Sequence, residues 1–176
     1  MSVISFKTKL IKINSWTLLK LPKSASEKLS SRGLVMVQGT INGFPFQIAL
    51  EPDGIGSHWF KIDDTISNAI GVNVGDTVSL EIEPTKELIE PEVPLDFKNA
   101  LANSKAAHDT WTDITPMARW DWIRWIRSTK QPETRKKRID SACDMLISGK
   151  RRPCCFNRNL CTETYVSKNG QLLDPL

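Results

Sequence analysis

Eleven residues, Pro84-Thr-Lys-Glu-Leu-Ile-Glu-Pro-Glu-Val-Pro94, divide this chain into two halves with different hydrophobic periods. The stretch holds three prolines and three glutamates. Proline fixes φ and has no backbone N–H to donate, so such a run reads as a semi-extended linker. A chain of 176 residues suits one large or two small domains, and the linker marks the division. The expected organisation is a first domain over 1–83, a linker over 84–94, a helical domain over 95–152 and an irregular, cysteine-containing tail over 153–176.

The first half alternates. In Val3 to Ile13, residues Ile4, Phe6, Thr8 and Leu10 fall on one face, and Ser5, Lys7 and Lys9 on the other. That period of two is the pattern of a half-buried strand. Further strands are expected at Trp16–Leu21, Leu34–Ile41, Phe44–Leu50, His58–Ile62 and Thr77–Glu83. Asn42-Gly43 is a strong hairpin signal, because a two-residue turn of this type needs positive φ at both positions. Short helices are expected over 24–30 and 64–70, with Gly33 and Gly71 placed to stop them. Six short strands joined by hairpins predict a small, closed or nearly closed antiparallel β-barrel.

The second half changes to helical spacing. Helices are expected over 95–103 and 104–111. Thr115 is a good N-cap and Pro116 suits the first helical position. Ala118, Trp122, Trp125 and Ile126 then make an apolar stripe. Pro132 opens the last helix, whose stripe is Ile139, Ala142, Cys143 and Leu146, and Gly149 ends it. The fold class is therefore α+β, a small antiparallel β-barrel followed by a helical domain.

Charge is uneven. Residues 1–90 carry a net −1, residues 91–176 a net +5, and residues 115–152 alone a net +7. The last helix begins with four consecutive cations, Arg135-Lys-Lys-Arg138. A helix N-terminus favours negative charge by roughly 0.3–1 kcal/mol per group, so this placement opposes the dipole. Either an anionic partner or acids elsewhere in the fold must offset it. Arg135 and Arg138, at i and i+3, share a face, and Arg124 and Arg127 belong to the preceding helix. If these four guanidinium groups converge, they can grip carboxylate or phosphate bidentately. They are the candidate anion-binding residues, for a small anionic molecule or for nucleic acid. Trp120, off the apolar stripe, is the candidate for base stacking in the nucleic-acid reading.

Other chemistry is thinly signalled. His58 and His108 are the two imidazoles. His58 follows a glycine-rich loop and could serve as a general base, though a strand-start histidine is the plainer reading. The loop Asp53-Gly-Ile-Gly-Ser57 lacks the Lys-Ser/Thr of a phosphate-binding P-loop and the third glycine of a dinucleotide fingerprint. No G-x-S-x-G or H-E-x-x-H motif occurs. Cys143 sits at an apolar helical position. The spacing of Cys154, Cys155 and Cys161 is not that of a zinc site, so neither a metal nor a cofactor is expected. A peroxide-sensing thiol near Arg151, Arg152 and Arg158 is a further reading, because cations lower a thiol pKa. No window is apolar enough for a transmembrane helix. The N-terminus lacks a signal-peptide core, so a cytoplasmic location is expected.

Several segments resemble a known family. Trp122-Ile-Arg-Trp-Ile-Arg through Pro132-Glu-Thr-Arg-Lys-Lys-Arg-Ile139, followed by Gly149-Lys-Arg, is similar to the bacteriocin-protection, YdeI/OmpD-associated family. Trp16-Thr-Leu-Leu-Lys-Leu-Pro22, Gly39-Thr-Ile-Asn-Gly-Phe-Pro-Phe46 and Gly75-Asp-Thr-Val78 resemble the small β-barrel domain of unknown function often fused before it. The resemblance covers about 150 residues and implies the same order, barrel then helices. It carries over no reaction, cofactor or catalytic residue. The family name implies a phenotype, tolerance to bacteriocins or antimicrobial peptides. The resulting expectation is a non-enzymatic, stress-related binding protein taking an anion through its basic helical hairpin. The alternatives are a nucleic-acid-binding module, and an enzyme with a pocket between barrel and helices that uses His58 or a tail cysteine.

Overall fold

The computed structural model describes residues 2–175. They form two compact units: residues 2–89 with 158–161 and 165–175, and residues 90–157 with 162–164.

The first unit is a seven-stranded antiparallel sheet. Its strands are β1 (Ile4–Lys9), β2 (Ile11–Ile13), β3 (Trp16–Lys20), β4 (Val35–Ile41), β5 (Phe44–Pro52), β6 (His58–Lys61) and β7 (Thr77–Pro84). Short helices α1 (Lys23–Ser26) and α2 (Asp64–Ile70) interrupt them. The spatial order is β1-β7-β4-β5-β6-β3-β2. Its two edges are thus consecutive pieces of one chain segment. The single alternating run over 3–13 is broken at Leu10, which is 1% exposed and donates its N–H to the Asp76 carbonyl at 2.9 Å. One bent segment therefore supplies both edges, and the sheet curls into a half-barrel. The Thr8 hydroxyl donates to the Lys20 carbonyl at 2.8 Å, tying β1 to β3.

Local chemistry accounts for the turns. Asn42 (φ 47°) and Gly43 (φ 82°) both take positive φ between β4 and β5, as the hairpin signal requires. Gly39 is needed for a different reason. A Cβ there would lie 1.8 Å from the Glu81 carbonyl oxygen of β7. Asp63 caps α2 by accepting from the Ile66 N–H at 2.9 Å, and Gly71 closes it in the left-handed region. The core includes Leu19, Val37, Leu50, Phe60, Val78 and Leu80. Burial of such side chains contributes about 1.5–3 kcal/mol each and is the main stabilising term.

The tail after Pro153 contains one further strand pair, β8 (Ser167–Lys168) and β9 (Gln171–Leu172). Cys161, Val166 and Leu172 join Ile13, Leu18 and Trp59 in a second apolar cluster of the sheet unit. The Trp16 and Tyr165 rings stack with centroids 5.7 Å apart. The Asp53–Ser57 loop is the seat for this hairpin. Asp53 Oδ1 accepts from the Ile55 and Ser57 N–H groups at 2.8 and 3.0 Å. Its carbonyl accepts from Leu172 N–H at 2.7 Å. Gly54 passes so close to Gly170 that a Cβ would lie 2.0 Å from its carbonyl oxygen.

The second unit holds four helices, α3 (Leu95–Ala102), α4 (Lys105–Asp113), α5 (Pro116–Arg127) and α6 (Pro132–Ile147). Ser104 and Thr115 cap α4 and α5 by accepting from the Ala107 and Ala118 N–H groups at 3.3 and 3.2 Å. Pro116 and Pro132 stand in the first turns, where no N–H is missed. Phe97, Trp111, Trp122, Ile126, Ile139 and Leu146 form the core. Phe97 and Trp111 meet edge to face at 5.1 Å. Leu95, despite its helical spacing, is 71% exposed. Among the described residues, no helix is long and apolar enough to cross a membrane.

Candidate functional site

Each of the four candidate arginines has a partner inside the helical unit. Arg124 is 1% exposed, and its guanidinium lies 5.1 Å from the centre of the Phe156 ring. Arg127 pairs with Glu163 at 2.7 Å and donates through Nε to the Thr162 hydroxyl at 3.0 Å. Both therefore reach the segment after Pro153. Arg135 and Arg138 reach elsewhere. Arg135 forks onto Asp96 of α3, with Nε and Nη2 at 2.7 and 2.9 Å from the two carboxylate oxygens. Arg138 donates to the Trp125 carbonyl at 2.6 Å and to the Ser128 hydroxyl. Its guanidinium also lies 5.3 Å from the centre of the Trp125 ring. The hydrogen-bond partners of the four thus differ, although Glu163, the partner of Arg127, also acts electrostatically on Arg135.

These contacts explain the cations that open α6. Arg135 is matched by the Asp96 carboxylate, which its hydrogen bonds hold below the ordinary aspartate range against the opposing cost of burial. Arg138 serves the end of α5, where unpaired carbonyls favour a cation. The same device recurs. Arg119 donates to the Trp111 and Ile114 carbonyls at 3.1 and 2.6 Å, closing α4 while it forks onto Glu90. Arg32 donates to the Ser26 and Leu29 carbonyls at 2.6 and 3.0 Å just after α1. Lys136 and Lys137, between the two α6 arginines, are exposed. Sequence spacing did not single out Arg119, Asp96 or Glu90. Their partners lie 29 and 39 residues away, beyond any local pattern.

His58 is the buried centre of a polar cluster in the sheet unit. It and Ser26 are both 0% exposed. His58 Nε2 lies 2.7 Å from the Gly33 carbonyl, and Nδ1 lies 2.6 Å from the Ser26 hydroxyl. A carbonyl can only accept, so Nε2 carries the hydrogen. Burial, with a smaller push from Arg32, holds the imidazole pKa below its ordinary value and outweighs the Gly33 bond and Asp53. The neutral ring then leaves Nδ1 to accept from Ser26. Nucleophile, base and orienter stand in a row, but both reactive side chains are sealed. The cluster pins α1 and the Gly33 turn to β6.

His108 lies elsewhere, on the exposed rim of a cleft between α3 and α4. The cleft encloses about 460 Å³. Its walls include Val93, Leu101, Ala102 and Trp111, and Lys98, His108 and Glu92 stand at its rim. Leu101 and Trp111 are buried and present an apolar floor. The sheet unit has a wider recess of about 540 Å³ along β4, β5 and β7. Amides and a carboxylate line it, and Gln38 donates to Glu83 at 3.1 Å there. All four cysteines are free thiols. Among the described residues, no group of three or more His, Cys, Asp or Glu side chains is placed to hold a metal ion.

Comparisons with known proteins agree with this division. A search of curated proteins found no match. The model of a domain of unknown function (DUF1905) matches residues 6–82, the half that forms the curled sheet. The bacteriocin-protection, YdeI or OmpD-associated family matches residues 90–149, which hold α3 to α6. Together the matches span most of the chain, a DUF1905 domain over the sheet followed by a region over the helices that matches the bacteriocin-protection, YdeI or OmpD-associated family.

Proposed function

We propose that this chain is a non-enzymatic binding protein that takes a small organic anion with an apolar body in the α3–α4 cleft. The observation that carries the reading is the combination at that cleft. An exposed lysine and an exposed imidazole, Lys98 and His108, stand over a floor of Trp111 and Leu101. Concave, mostly apolar sites with a few polar groups at the mouth are where small molecules bind. Lys98 supplies the charge for a carboxylate, the His108 imidazole a hydrogen-bonding group, and the indole contact area for the rest. Glu92 on the same rim repels a polyanion and so favours a small monoanion over nucleic acid. The engagement of Arg124, Arg127, Arg135 and Arg138 within the helical unit supports moving the anion site from the hairpin to this cleft. The sealing of Ser26 and His58 supports a role without catalysis. A cytoplasmic setting fits the four free thiols.

The experiment is a thermal-shift screen of aromatic and branched carboxylic acids, with titration calorimetry of any hit. A ligand that binds the folded form raises the melting temperature by mass action. Lys98→Ala should weaken binding about tenfold or more, on the scale of a lost charge-assisted hydrogen bond, and Arg138→Ala should leave it unchanged. Binding that survives Lys98→Ala but fails in Arg138→Ala would return the site to the hairpin. A steep loss of oligonucleotide affinity between 50 and 200 mM salt would favour the nucleic-acid reading instead. The same proposal extends the family's bacteriocin-protection description to this chain. Cells lacking it should then be more bacteriocin-sensitive, and Lys98→Ala should fail to restore tolerance.

A further inference from the structure

The loop from Arg152 to Phe156 displays two adjacent thiols from a backbone held at both ends. On one side Arg152 pairs with the buried Asp121 of α5, and Pro153 is buried. On the other, Phe156 is half-buried with the Arg124 guanidinium over its ring. Between these anchors Cys154 and Cys155 are both exposed, and their sulfurs lie 2.9 Å apart. Cys155 takes a left-handed φ of 57°, a region that non-glycine residues enter only where the surroundings hold them. The two sulfurs are thus brought together by the fold before any ligand arrives.

A direct bond between them is poorly suited to this geometry. Adjacent Cα atoms are held about 3.80 Å apart by a trans peptide, below the roughly 4.4–6.8 Å usual for a disulfide. Joining the sulfurs would strain the ring and make the bond easily reduced. The hydrogen bond with Cys154, with a smaller part from its charge, raises the Cys155 thiol above its ordinary pKa. A large soft atom placed between the sulfurs needs no S–S bond. The short separation suits a pyramidal centre with an acute bite better than a linear one, which needs its ligands on opposite sides.

We propose that Cys154 and Cys155 form a two-thiolate chelating site for a soft, pyramidal thiophile, with trivalent arsenic as the chemical class. With phenylarsonous acid as the reagent, each thiol gives up its proton. Two As–S bonds form, two As–O bonds break, and the protons leave with the oxygens as two waters. Arsenic stays trivalent, and no electrons are exchanged. Once the first As–S bond has formed, the second closes within the molecule at an effective concentration of millimolar or more. The site is independent of the α3–α4 cleft.

The test uses the reduced full chain and phenylarsine oxide, which hydrates to phenylarsonous acid. Intact-mass and peptide-mapping spectra should show one phenylarsenic unit per chain, carried on the Cys154–Cys155 peptide. Excess 2-mercaptoethanol should leave the adduct in place, and 2,3-dimercaptopropanol should strip it. Cys154→Ser and Cys155→Ser should each weaken binding by about tenfold or more, with unchanged circular dichroism, because the chelate closure is lost. Cys143→Ser should bind like the unmodified protein. An adduct mapped to Cys143 or Cys161 would overturn the proposal, as would equal binding by either serine variant at the pair. So would a reduced protein that leaves the arsenical unbound while hydrogen peroxide joins the two sulfurs; that result would make the pair a redox switch.

Discussion

Breaking the Asp96–Arg135 pair tests directly whether the cations that open α6 are structural. The guanidinium forks onto both carboxylate oxygens, at 2.7 and 2.9 Å, between α3 and α6. The side chains are 48% and 26% exposed, so water screens part of the attraction. That places the pair with good surface bridges, not with buried ones. Its coupling should be about 0.5–1 kcal/mol, the upper part of the exposed range, because the geometry is bidentate. The assay is a double-mutant cycle: Asp96→Asn, Arg135→Gln and both together, unfolded in urea and followed by far-UV circular dichroism. For a unit of this size, that coupling corresponds to a shift in melting temperature of roughly 2–8 °C.

Salt and pH give the same cycle two internal controls. In 1 M salt the Debye length falls to about 3 Å, and the coupling should shrink. The Asp96 carboxyl is held below its ordinary value of 3.8. Its stabilising contribution is therefore complete above about pH 3.8 and is lost as pH falls through the lower folded-state value. Asp96→Asn should remove that part of the acid slope. A coupling indistinguishable from zero, within the roughly 0.3–0.5 kcal/mol error of additivity, would refute the structural account and leave Arg135 available to a ligand.

Two further predictions concern the sheet unit. His58 has a folded-state pKa below its ordinary 6.5, so the unfolded chain takes up a proton first as pH falls. Stability should be full above about pH 6.5 and decline below it. Urea midpoints between pH 7.5 and 5 check this, and a His58→Gln variant with the same slope would count against it. Gly39→Ala would drive a Cβ into the Glu81 carbonyl oxygen at 1.8 Å. It should destabilise the protein by about 1–3 kcal/mol through overpacking, and an unchanged urea midpoint would contradict the close approach of β4 and β7.

What could be read from the chain was whatever neighbouring residues decide among themselves. The alternation before residue 84 follows from side chains pointing to opposite faces of a strand. The Asn42-Gly43 turn follows from the ease with which those residues take positive φ. Thr115 and Pro116 mark the start of α5 because capping involves groups three residues apart. These interactions stay within a turn or a strand, so the α+β class and the order of the halves were legible in the amino-acid sequence alone.

Long-range pairing decided the rest. Nothing local shows that the cations of α6 meet Asp96, 39 residues earlier, or the carbonyl end of α5. The break at Leu10, which turns one strand into both edges of the sheet, depends on hydrogen bonds to Gly75 and Asp76. The polar tail has too few apolar residues to form a recognisable pattern, yet Val166 and Leu172 are buried against the sheet because Gly54 lets their hairpin approach. A charge pattern along the chain states how many cations there are; which carboxylates and carbonyls meet them is settled when distant segments pack.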